Sequence, residues 1–376
     1  MKYHYFEIKT FLHPLIIMLM VIFIVSCVDQ VDAEYAYQDN IIFIDAYALT
    51  QEGTSSVSIS RSNWDERNYS IKLVEGADVK LENINTGLTV DFIADSSGVY
   101  LGPSDFVVEA GEVWVLYIEL ADGRKFESQP ETVKSPIPID DIKAEYSREV
   151  VFNQTRNSFV PGHLISIDWQ DPAGEENYYL WKYRTFEPLF VCKTCFNGRF
   201  RNGECEDLPN RFGPPYYNYL CEPVCWQIKY EEEPIIFEDR LFDGTSIENK
   251  EIVILPFFRR PDILIEVQQL SLDKTTYDYF KILNDQVSSS GGLNAPPAAP
   301  LLGNLFNPDD PSEIVLGNFT AAGVSSKSIF IDRSMLLENP FRPDDNIIIE
   351  TCIPCPQSFP CIESFTRTSI EPTGWQ

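Results

Sequence analysis

Apolar residues run unbroken from Leu15 to Val25, preceded by Lys2 and Lys9 and closed by Ser26-Cys27. A run of this length is too short for a permanent transmembrane helix, which takes about 20 residues, but it fits the core of an export signal. A polar, acidic stretch without periodicity follows to residue 40 and reads as a tether. From Ile41 the pattern changes to short β-type runs at close intervals: 41–44, 57–59, 69–73, 79–81, 88–93, 99–101, 113–120 and 125–126. Turn signals separate them, among them Asn85-Thr86-Gly87, Ser96-Ser97-Gly98 and Asp122-Gly123. The Asp-Gly pair predicts a hairpin, because these residues accept positive φ. So many short strands in about 100 residues predict an immunoglobulin-like β-sandwich over 41–135. Pro130, Pro136 and Pro138 then predict a stiff, extended boundary.

A larger β-rich region is predicted over 142–376. Leu164 to Trp169 alternates as a strand does, Asp171-Pro172-Ala173-Gly174 turns, and Tyr178–Arg184 returns as an aromatic-rich strand. Residues 186–233 hold five cysteines and five prolines with little periodicity, and they read as a crosslinked excursion outside the core. Strands resume at 235–237, 252–255 and 263–267, with others at 314–316, 327–331 and 347–350. One segment, Ser271–Val287, repeats its apolar positions at helical spacing, with Ser271 as the expected N-cap. The fold class is therefore mainly β, with one helix and a disulfide-rich insertion.

Ser26-Cys27 at the end of the apolar run alters the export reading. A small residue before one cysteine is the pattern of a bacterial lipoprotein signal: Cys27 becomes the lipid attachment point and residues 1–26 are removed. Two or three acyl chains, at about 0.8 kcal/mol per buried methylene, would anchor the chain firmly. The remaining eight cysteines are Cys192, Cys195, Cys205, Cys221, Cys225, Cys352, Cys355 and Cys361. An even count clustered in two segments of an exported chain predicts disulfides, with the pairing left open. The Cys192/Cys195 and Cys352/Cys355 spacings also suit zinc, which the oxidising compartment disfavours. The net charge of −28 excludes nucleic acid as a partner, since it repels phosphate backbones.

Catalytic signatures are sparse. Past the signal the only histidine is His163, expected in a loop at the mouth of a strand, and neither a His-Glu-x-x-His pair nor a Gly-x-Ser-x-Gly elbow occurs. No catalytic residue is assigned. Oxygen-rich segments at Asn307–Glu313 and Asp344–Asn346 are candidates for calcium, but both lack EF-hand spacing, and Asx-Pro turns are the ordinary use of such residues. No metal site or cofactor is assigned. The candidate recognition surface is the excursion itself, where Tyr216, Tyr217, Tyr219, Trp226 and Tyr230 lie close together beside Pro214-Pro215. Rings on a stapled loop give contact area at low entropic cost; equally, they serve to pack the loop onto the sheet below.

Several segments resemble one lipoprotein family of the Bacteroidota, catalogued as domain of unknown function 4249. They are Ile167-Asp168-Trp169-Gln170-Asp171-Pro172 with Asn177-Tyr178-Tyr179, Phe237-Glu238-Asp239, Phe242-Asp243-Gly244 and Ile265 to Ser271. Asn304-Leu305-Phe306-Asn307, Leu316-Gly317-Asn318-Phe319 and Ala322-Gly323-Val324 complete the pattern, with Ser328 to Asp332 behind them. The resemblance implies an outer-membrane, cell-surface lipoprotein that assists a TonB-dependent transporter by capturing or presenting a ligand. It carries no catalytic residues with it. An adhesin or structural envelope protein, and a glycan- or peptide-processing surface enzyme, are the rival expectations.

Overall fold

Alternation along each strand decides which side chains meet in this protein. The computed structural model describes residues 40–65, 68–95, 97–195, 198–201, 204–207, 223–231, 233–289, 301–341, 347–352, 361 and 364–376. The chain opens with β1 (Ile42–Leu49), β2 (Ser56–Asp65), β3 (Asn68–Leu73), β4 (Asp78–Asn83) and β5 (Leu88–Ala94). Then come β6 (Tyr100–Leu101), β7 (Val113–Glu119), β8 (Lys125–Ser128) and β9 (Glu131–Thr132). β1, β2, β3 and β6 form one antiparallel group, and β5, β4, β7 and β8 form another. Ile44, Val57 and Ile59 of the first group share one buried cluster with Leu81, Trp114, Leu116 and Phe126 of the second. The expected hairpin is present: Gly123 has φ +88°, and Leu120 N–H donates to the Arg124 carbonyl at 2.8 Å.

A long hairpin follows, β10 (Asp141–Asn153) with β11 (Ser158–Gln170). Next come β12 (Tyr178–Cys195), the short pair β13 (Gly198–Arg201) and β14 (Glu204–Asp207), then β15 (Pro223–Tyr230) and β16 (Ile235–Glu238). β17 (Ser246–Pro256) joins β11, giving the three-stranded sheet β10-β11-β17. β18 (Ile263–Leu272) leads into the helix α1 (Lys274–Ser289), and β19 (Leu305–Phe306), β20 (Val315–Ile331), β21 (Ile347–Cys352) and β22 (Arg367–Thr368) complete the chain.

β12 is the axis of the second half. β18 lies along one edge, while β16 and then β15 lie along the other. Tyr179 and Trp181 face the three-stranded sheet and pack with Ile165, Ile167 and Trp169. Tyr178 and Leu180 point to the opposite face and pack with Tyr277 and Phe280 of α1. This two-residue period is the one that a strand buried on both sides requires.

The two halves share a strand. Residues 315–322 of β20 run parallel to β1, and residues 323–331 run antiparallel to β18. β19 pairs with β8, so strands from beyond residue 300 complete the sheets that begin at Ile42. Asn40–Gln376 is accordingly one compact unit. A Cβ on Gly323, at the changeover, would collide with the Lys134 carbonyl, which explains a small residue there.

Three local expectations are corrected. Asp273, not Ser271, caps α1: its Oδ1 accepts the Thr276 N–H at 2.7 Å, while Ser271 is still in β18 and buried. His163 is not a loop residue but sits inside β11, 4% exposed. The ends of the cysteine-rich excursion are sheet, since β12 and β15 pair from Arg184 to Phe190, and Phe186 and Ile228 are buried with Leu264.

Candidate functional site

The face of β12 that buries Trp181 changes character further along. At the same parity come Tyr183, Thr185 and Glu187, and here the two sheets part around a cavity of about 610 Å³. β17 supplies Glu251–Pro256, β15 supplies Lys229 and Tyr230, and Phe258, Ile263 and Arg333 also line it. The volume is within the range of small-molecule sites, and the lining mixes apolar residues with charged ones, Glu187, Lys229, Glu233, Glu251 and Arg333 among them.

Arg333 is the unusual member of that lining. It is 2% exposed, just past the end of β20. Its backbone N–H donates to Asp262 Oδ1 at 2.7 Å, but among the described residues its guanidinium reaches only the Pro261 carbonyl, at 3.5 Å, and its Nε has no partner. The group lies over the Phe257 ring at 5.6 Å. Among the described residues no carboxylate comes within 4.0 Å of it; Glu187, the buried acid of the cavity, is held by Lys229 at 2.9 Å. Burial pulls the arginine below its ordinary pKa, opposed by the charges of Glu187 and Asp262. A buried cation without a close anion is costly to keep.

His163 pairs in register with Leu255 of the cavity wall. Its Nδ1 has no partner, and its ring lies 5.3 Å from that of Tyr146. Burial, with the charge of Arg333, pushes its pKa down to about 4, so the imidazole is neutral at neutral pH.

The signature residues converge elsewhere, in a clasp between the loops after β11 and β16. Asp171 accepts the Tyr179 hydroxyl and, at 3.0 Å, the Gly244 N–H. Asp239 accepts the Asn177 backbone N–H at 2.9 Å, and Asp243 accepts the Gly174 N–H at 2.7 Å. The three carboxylates lie within 4.8 Å of one another, the spacing a cation would need, and two of them are buried. Burial raises the Asp171 pKa, assisted by the negative charges of Asp239 and Asp243. These residues form a pattern in the sequence, but their convergence is a property of the fold alone.

Of the aromatic candidates, Trp226 and Tyr230 are described. Trp226 meets Trp375 edge-on at 6.1 Å. Tyr230 stacks on Phe365 at 4.1 Å, donates its hydroxyl to that residue's carbonyl, and also lines the cavity. Tyr216, Tyr217 and Tyr219 lie outside the described residues, as does Cys27. Cys225 and Cys361 form a disulfide with Cα atoms 5.5 Å apart. Cys221 and Cys355 lie outside the described residues, and so do the side chains of Cys192, Cys195, Cys205 and Cys352. In the first calcium candidate, Asn307 Oδ1 accepts the N–H groups of Asp309 and Asp310, and Glu313 pairs with Arg124 at 3.0 Å. These are turn and ion-pair roles. The second candidate, Asp344–Asn346, is outside the described residues. Among the described residues no helix is long and apolar enough to cross a membrane.

A family model described as a domain of unknown function, DUF4249, matches residues 28–328. No curated protein matches the chain.

Proposed function

The chain belongs to the DUF4249 family, and from that premise we propose that it is a lipid-anchored, surface-facing module of a bacterial outer membrane that binds a ligand without transforming it. Its partner in this reading is a TonB-dependent transporter, to which the ligand is passed. The observation that carries the binding role is the cavity between β12 and β17, with a buried arginine whose Nε has no partner among the described residues. The apolar run ending at Ser26-Cys27 supports the anchor. An immunoglobulin-like first region would serve as the spacer or docking surface. Purification from native envelopes in gentle detergent tests the partnership: a large β-barrel receptor should accompany the protein. Recovery of the protein alone, from cells that lose surface adhesion when it is deleted, would favour an adhesin.

A further inference from the structure

Resting on the reading of the cavity as a binding site, we infer that its ligand carries a carboxylate on an apolar body and that Arg333 receives it. A guanidinium binds a carboxylate through two parallel N–H donors, and Nε is a donor that Arg333 has to spare. Its Nε is buried without a partner, and the nearest acid of the cavity is committed to Lys229. One part of the lining suits a hydrocarbon body: Ile252, Leu255 and Ile263 with the rings of Tyr183 and Phe258. Phosphates fit less well. Glu187, Glu233 and Glu251 also line the cavity and would repel a doubly charged group more than a singly charged one.

The residue can be removed without orphaning another charge. Glu187 keeps Lys229, and Asp262 keeps the backbone N–H of residue 333, which methionine retains. Arg333→Met, similar in length and uncharged, should therefore melt no lower than the parent.

The test is calorimetric titration of the full-length protein in detergent with hydrocinnamate, its neutral amide and phenylpropylamine. Hydrocinnamate should bind about tenfold or more tightly than the amide, the scale of one charge-assisted contact. The preference should vanish in Arg333→Met. A parallel pair, N-acetyl-alanyl-phenylalanine and its C-terminal amide, separates free acids from peptide termini as the source of the carboxylate. Equal or tighter binding of the amide or amine would overturn the inference while leaving the cavity a binding site. Binding of none of them would overturn both. A carboxylate preference that survives in Arg333→Met, or a steep fall in that variant's melting temperature, would show that Arg333 is a structural cation and would also overturn it.

Discussion

Single side chains carry unusual loads in this protein, and Glu131 shows it best outside the cavity. It is 3% exposed, accepts from Asn304 Nδ2 at 2.6 Å, and faces Thr276 of α1 at 3.4 Å. Burial, then the charge of Asp273, pushes its pKa from 4.5 up to about 8. The folded protein thus holds a proton that the unfolded chain releases above pH 4.5. The stability this confers is complete in acid and fades as pH rises towards 8, at about 1.4 kcal/mol per unit. Thermal melts across that window should show the parent losing stability relative to Glu131→Gln, which keeps the shape and cannot ionise; parallel curves would contradict the assignment. Gly317, from the Leu316-Gly317-Asn318-Phe319 signature, is a second case. Its φ is +109°, and a Cβ there would strike the Ile44 carbonyl across the β1–β20 pairing. Gly317→Ala should cost about 1–3 kcal/mol in backbone strain alone and more through the collision, visible as a melting temperature several degrees lower.

At the scale of elements, the disulfide is the point to test. Cys225 of β15 is tied to Cys361 across 136 positions of sequence, and the chain beyond returns to lay Phe365 on Tyr230 and Trp375 on Trp226 and Phe330. Replacing both cysteines by serine should cost about 2–5 kcal/mol. The first visible effect should be at the C-terminal segment, as faster tryptic cleavage at Arg367 than in the parent. Unchanged cleavage would mean that packing alone holds it. Much of this architecture is legible in the sequence, because alternation in segments such as Tyr178–Arg184 is a local property. The amphipathic period of α1 is local too, and only its cap was displaced by two residues. β10 is not legible in the sequence, because Lys143, Glu145, Arg148 and Glu149 break any alternation in a strand that is mostly half-buried or exposed. The sharing of β20 between two sheets is invisible for another reason: which strands pair across 270 residues is not written in either segment. Arg333 gave no signal, since a lone arginine after a strand is ordinary until its surroundings are known.

For the molecule as a whole, one compact β unit spans Asn40–Gln376, with a cavity held between its sheets. The strong negative charge suits an exposed, soluble surface and disfavours polyanionic partners. In the proposed function, attachment to a membrane would depend on a single atom, the sulfur of Cys27. On that proposal, Cys27→Ser should shift the protein from the membrane to the soluble fraction without altering its melting temperature, because residue 27 precedes the compact unit that begins at Asn40. The most direct measurement is intact-mass and peptide mass spectrometry of the protein extracted from its native envelope. The account predicts a chain that begins at Cys27 and carries two or three fatty acyl groups on that residue. A terminus free of fatty acid, on a protein recovered in the soluble fraction, would contradict it.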